Sequence, residues 1–329
     1  MQATFTSVRD DEISFFKRNL KDLKLQFFKQ NINQIDIEKL KDTQILSIFV
    51  YDKLTKDIIS KLKHLKLIIT RSVGYDHIDI DYCRKNKIIV AHIPEYSPQS
   101  IAEHTFCMIL NLTRKLKKIQ QNEDYLNFSL EKDILGVDLY TLSLGIIGTG
   151  RIGSKVAKIA YGYGMKIYAY DIKQNPELKD LNVCYVDLEF LIKKSDVITL
   201  HVPYLPTTHH LIDKNKINSM KKGVILINTS RGKVIDTDAV YNGVLEGKIG
   251  GVGLDVFEDE EILILRGYEQ KQSSDKVLKI LRLRNMDNVI ITPHIAFFTE
   301  KAVKNIKKGV IECINLFKEH NDVGKFKVV

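Results

Sequence analysis

Short, β-branched apolar runs recur along the chain, each followed by a longer stretch whose apolar positions repeat every three or four residues. That alternation predicts parallel strands joined by crossover helices. The first series spans residues 3 to 95, with strands expected at Gln44–Val50, Leu65–Thr70 and Ile88–Pro94. A long helical pattern follows from about Ser100, where Ser100 and Glu103 stand at capping-box spacing and Pro98 closes what precedes. The second series runs through Leu144–Gly148, Lys166–Asp171, Asp196–Val202, Val224–Asn228, Gly251–Val256 and Val289–Thr292, six strands in all, which is the size of a complete doubly wound sheet. A last amphipathic helix covers Glu300–Lys318, beyond that sheet.

At 329 residues and 44% hydrophobic content, the chain exceeds the usual size of one compact domain, so two domains are expected. No low-complexity linker separates the two series, which implies tight crossings. Lys and Arg total 50 against 41 Asp and Glu, a net charge of +9. The basic residues do not concentrate in a nucleic-acid motif: Lys115, Lys117 and Lys118, like Lys301, Lys304, Lys307 and Lys308, fall at helical spacing, as on solvated helix faces. Nucleic acid and membrane partners are therefore not expected. Residues Met1–Glu12 carry no apolar run behind a basic flank and no apolar stretch reaches membrane-spanning length, which makes the cytoplasm the expected compartment. Cys83, Cys107, Cys184 and Cys313 are too scattered for a disulfide framework or a zinc site, and no metal is expected.

Chemistry first shows at Gly148-Thr149-Gly150-Arg151-Ile152-Gly153, between a strand and a helical pattern. Gly148 makes the turn, Gly150 admits a pyrophosphate to the helix N-terminus, and Gly153 lets helix meet strand. By itself such a glycine pattern is weak. It gains weight because the next strand ends at Asp171, 18 residues after Gly153, where a carboxylate accepts both adenosine ribose hydroxyls and repels a 2′-phosphate. NAD is the expected cofactor, with Lys173 nearby softening the preference over NADP.

Two further residues follow strand ends, where open α/β sheets bind ligands. Arg231, in Asn228-Thr229-Ser230-Arg231-Gly232, can grip a 2-keto acid through two parallel hydrogen bonds. His294 follows Val289–Thr292 and Pro293, and its imidazole titrates in the range suited to delivering a proton as hydride arrives at carbon. A carboxylate from the run Glu258-Asp259-Glu260-Glu261 would hold the histidine tautomer, and spacing leaves open which one does so.

Taken together, the chain resembles the D-2-hydroxyacid dehydrogenase family over nearly its whole length. The resemblance lies in Thr70–Asp79, Tyr96-Ser97-Pro98 with Ile101–His104, the glycine loop, Val202-Pro203, Asn228–Gly232, Gly253–Val256 and Pro293–Ala296. It implies an α/β protein of two doubly wound parallel-sheet domains. A Rossmann NAD-binding domain (98–296) is inserted in a smaller flavodoxin-like substrate domain (1–97 and 297–329). Arg231 then becomes the substrate clamp, His294 the acid–base residue, Glu260 its partner and Asp255 a cofactor-side acid. Arg151, Ile152, Val202, Pro203, Thr208, Thr229 and Ser230 become further NAD contacts. Backbone at Val73 and Gly74, with the Tyr96 hydroxyl, would hold the substrate carboxylate, although Tyr96 reads equally as a packing residue. Phe297 and Phe298 give an apolar wall and Tyr51 limits its size, so pyruvate is the expected keto acid, with glyoxylate, hydroxypyruvate or bulkier 2-keto acids as alternatives. A binding protein that senses NADH on the same fold is the other alternative. The resemblance also implies a homodimer.

Overall fold

The computed structural model describes residues 1–121, 129–266 and 274–329. The chain divides into two compact units, Met1–Ser97 with Thr299–Val329, and Pro98–Phe298.

The first unit holds five parallel strands, β1 (Gln2–Phe5), β2 (Lys24–Phe27), β3 (Ile45–Ile48), β4 (Leu67–Thr70) and β5 (Ile89–His92), in the order β2-β1-β3-β4-β5. Alternate residues of each strand go to opposite cores. Ile45, Leu67, Ile69 and Ala91 pack with Phe16, Val310 and Ile314, whereas Leu46, Ile48, Ile68 and Val90 pack with Leu40, Leu62 and Cys83. Burial on both faces is why these strands read as unbroken apolar runs. Strands β1 and β2 were not among the expected elements. β2 is a half-exposed edge strand carrying Lys24 and Gln26, and β1 is broken by the polar Thr4, whose buried hydroxyl bonds Thr43 Oγ1 at 2.7 Å.

The second unit holds seven parallel strands, one more than the pattern predicts. They are β6 (Ser143–Ile147), β7 (Lys166–Tyr170), β8 (Cys184–Tyr185), β9 (Val197–Leu200), β10 (Val224–Asn228), β11 (Ile249–Leu254) and β12 (Val289–Ile291), in the order β12-β11-β10-β9-β6-β7-β8. The extra strand, β8, is a two-residue edge too short to leave a period. Because the chain leaves β6 first toward β7 and later returns on its other side as β9, the switch point lies at the carboxyl ends of β6 and β9, where such sheets take their ligands. The helix before this sheet begins at Pro98, not at a Ser100 cap. Proline's fixed φ suits the first helical turn, so it starts the helix, Ser100 is buried inside it, and Glu103 accepts from Gln99 Nε2 at 2.9 Å. No described helix is long and apolar enough to cross a membrane.

Candidate cofactor and catalytic site

At the switch point the chain turns through Gly148, whose φ of +94° and closeness to His201 exclude a side chain: a Cβ there would lie 2.8 Å from the His201 carbonyl. Gly153 is tighter still, since its Cβ would fall 1.9 Å from Gly148 O. Gly150, at the N-cap of the helix Arg151–Gly162, differs in that a Cβ there would meet nothing within 4 Å. Two glycines thus let the backbone close on itself, and the third keeps space open in front of a helix N-terminus. That is the cradle a pyrophosphate needs. Arg151 is exposed at the first helical position and Ile152 half-buried behind it.

Asp171 stands one residue past β7, and its Oδ2 accepts from Thr149 N at 2.6 Å and from Thr149 Oγ1 at 3.1 Å. The glycine loop and the acid are therefore one hydrogen-bonded piece. Tyr185 donates its hydroxyl to Thr149 Oγ1 at 3.0 Å, and Asn175 Nδ2 donates to Thr149 O at 2.8 Å, bracing the same loop. On the other side of β6, Val202 is half-buried and Pro203 exposed, and Thr208 Oγ1 donates to Pro203 O at 2.7 Å, folding Val202–Thr208 on itself. The half-buried His201 has no charged partner among the described residues, and desolvation of its ring takes the imidazole down to about 3, so it is neutral there.

At the end of β10, Asn228 organises the turn. Its Oδ1 accepts from Ser230 N and Ser230 Oγ, and its Nδ2 donates to Arg231 O at 2.9 Å. Thr229 Oγ1 lies 3.1 Å from Thr105 Oγ1, so both Thr229 and Ser230 are buried with their hydroxyls engaged. Arg231 emerges half-buried, Nη1 donating to Ser230 O at 2.8 Å.

Past β12 the chain reverses sharply and leaves His294 at φ +55°, a left-handed conformation that costs about 1–3 kcal/mol for a residue with a side chain. Asp255 holds it there. This carboxylate is 1% exposed; Oδ1 accepts from Thr292 Oγ1 at 2.6 Å and Ile295 N at 2.8 Å, and Oδ2 from Ala296 N at 2.9 Å. Backbone bonding adds His294 N to Asp255 O at 2.9 Å. Strained backbone is thus fixed by a buried acid on the neighbouring strand's end. His294 Nδ1 meets Glu260 Oε1 at 2.8 Å, and Glu260 Oε2 accepts from Phe257 N at 3.1 Å. A carboxylate only accepts, so Nδ1 carries the donated proton and the tautomer is set. Of the four acids in the run, Glu260 is the one that reaches His294. Phe298, four residues on, is half exposed, its ring edge-on to Phe297 at 5.9 Å.

In the first unit, the segment after β4 has its own logic. Ser72 O accepts from Ile93 N at 3.0 Å, Val73 O from His92 Nδ1 at 2.7 Å, and Gly74 O from Ser72 Oγ at 2.6 Å. These three bonds hold the backbone carbonyls of Ser72, Val73 and Gly74. Tyr51 stacks edge-on with Phe49 at 5.5 Å, and Tyr96 is half-buried against the core beside the helix Glu300–His320, its carbonyl accepting from Asn305 Nδ2.

Comparisons with known proteins bear on the whole arrangement. The model of the D-isomer specific 2-hydroxyacid dehydrogenase NAD binding domain matches residues 106–296. A 2-hydroxyacid dehydrogenase homolog of Haemophilus influenzae is 38% identical over 265 residues, 80% of this chain and 79% of that protein. A D-lactate dehydrogenase of Staphylococcus aureus is 36% identical over 276 residues, 83% of this chain and 82% of its own length. Among solved structures, D-lactate dehydrogenase from Aquifex aeolicus complexed with NAD and lactic acid superposes with a TM-score of 0.96 at 49% identity, covering 100% of this chain and 99% of that one.

Proposed function

The chain belongs to the D-isomer specific 2-hydroxyacid dehydrogenases, NAD-dependent oxidoreductases, and from that premise we propose that it interconverts pyruvate and D-lactate, with His294, Glu260 and Arg231 as its catalytic residues. One observation supports the residue roles above all others: the 2.8 Å bond between His294 Nδ1 and Glu260 Oε1, on a backbone strained into position and anchored by Asp255.

Bound NADH supplies the hydride to the carbonyl carbon. His294 delivers the accompanying proton from Nε2 to the substrate oxygen, and Glu260 orients the imidazole by accepting from Nδ1. Arg231 forms paired, charge-assisted bonds to the keto acid and polarises its carbonyl. Backbone groups at Val73 and Gly74 receive the carboxylate, helped by the Tyr96 hydroxyl, while Tyr51 and Phe298 limit the substituent at the third carbon. Gly148, Gly150, Arg151, Ile152 and Gly153 cradle the pyrophosphate, and Asp171 binds the adenosine ribose. Val202, Pro203, Thr208, Thr229, Ser230 and Asp255 line the cofactor further along, Asp255 acting chiefly through the His294 turn.

The test is steady-state reduction of a 2-keto acid panel with NADH. Pyruvate is expected to give the highest kcat/KM, with one extra methylene changing it by about 10- to 200-fold. If glyoxylate, hydroxypyruvate or a branched keto acid leads the panel, the substrate assignment is wrong.

The second unit also supports a homodimer. Leu135, Val137, Tyr140, Tyr161 and Tyr163 are large and exposed, and Tyr140 lies beside Gly164, 3.5 Å from where a Cβ there would stand. Light scattering is expected to read twice the chain mass, and the single-chain mass would refute the dimer.

A further inference from the structure

Glu258 lies two residues before Glu260 in the same acidic run, yet takes an entirely different set of partners. It is 3% exposed; Oε1 accepts from His210 Nε2 at 2.9 Å and from Lys276 Nζ at 2.5 Å, and Oε2 accepts from Thr237 N at 3.1 Å. Burial disfavours its charge, but bonds from Lys276, His210 and Thr237 outweigh that and hold the carboxyl down at about 2. Lys276 is in turn kept protonated by Glu258 against the pull of desolvation, with Asp259 and Asp238 adding to the effect.

Each partner leads to a different part of the candidate site. His210 ends the segment that starts at Val202, and it sits at a left-handed φ of +48° with its ring stacked on His209 at 4.0 Å. Its backbone N–H donates to Lys233 O at 2.9 Å, two residues beyond Arg231. Between them, Gly232 packs so closely on the next loop that a Cβ would fall 2.2 Å from the Phe257 carbonyl. Phe257 N holds Glu260 Oε2, and Glu260 Oε1 holds His294. One buried carboxylate therefore joins the segment after β9, the turn after β10 and the loop after β11.

We infer that Glu258 is a positioning residue: with His210 it locks the Glu260 loop to the segment Val202–His210, and so fixes both the Glu260–His294 bond and the surface offered to the cofactor. This rests on the acid–base reading of His294 and Glu260. Freed from Glu258, Glu260 drifts from Nδ1 and the imidazole loses the carboxylate that orients it.

The test uses full-length Glu258→Gln, with His210→Gln as a second variant should the first not fold. NADH affinity is read by fluorescence titration without substrate, kcat and KM from pyruvate reduction, and stability from thermal melts. Both variants are expected to weaken NADH about fivefold or more. Both should also lower kcat about tenfold or more while KM for pyruvate changes less. A purely structural residue would lower the melting temperature alone; unchanged NADH affinity with unchanged kcat overturns the inference. His294→Gln, run alongside, separates the two failures: if it retains turnover, the acid–base reading falls and takes the His294 part of the inference with it.

Discussion

Replacing His294 with glutamine is expected to lower kcat for pyruvate reduction by about 10²–10⁴-fold, the range spanned by loss of a positioned general acid. Glutamine keeps a donor toward Glu260 but carries no titratable proton, so NADH binding should stay near the parent value while the pH dependence of the residual rate flattens. The local backbone makes the test clean. The turn is held by Asp255 through Thr292, Ile295 and Ala296, none of which involves the imidazole, so the substitution leaves the fold in place. Glu260→Gln should be milder, because it alters the group that orients the imidazole and not the acid itself. Near-parent turnover by His294→Gln would remove the histidine from the mechanism.

The second large effect is expected at Arg231. Arg231→Gln should reduce kcat/KM for pyruvate by about 10²–10³-fold, comparable to loss of one donor aimed at developing charge, and it should show in both KM and kcat. The guanidinium has to bind the acid and polarise its carbonyl, and those two tasks divide the loss. Arg231→Lys restores the charge without the planar fork, so it should recover only part of it. The turn survives either change, because Asn228 Nδ2 bonds the Arg231 backbone carbonyl and not its side chain. A variant that raised KM with kcat untouched would mean that Arg231 binds substrate without activating it.

How far the sequence speaks depends on the distance over which its signals act. Burial on both sheet faces wrote β3 to β5 and most of the second sheet into the chain as apolar runs, whereas β1 is interrupted by the polar Thr4, β2 is a half-exposed edge strand carrying Lys24 and Gln26, and β8 has only two residues. The glycine loop and Asp171 were legible because strand, turn, helix and acid follow one another in order. Arg231 and His294 were legible as strand-end residues. The acid run was not, since choosing Glu260 requires knowing which side chain meets a residue 34 positions later. His210 was missed, and Glu258 was read only as one of four candidate partners of His294. Their bond spans 48 positions, and nothing local distinguishes the fully buried glutamate from the half-buried acids that follow it. Pro98 shows the opposite error: read as a terminator, it is the first residue of the helix, a position where its missing N–H costs nothing.

The central claim is that this chain transfers hydride between NADH and pyruvate to make the D-acid. The most direct measurement is to incubate the purified protein with NADH and pyruvate, follow the loss of absorbance at the nicotinamide band, and resolve the product on a chiral column. The expected result is stoichiometric NADH oxidation with D-lactate as the sole enantiomer. L-lactate, or no turnover by protein that binds NADH, would contradict it.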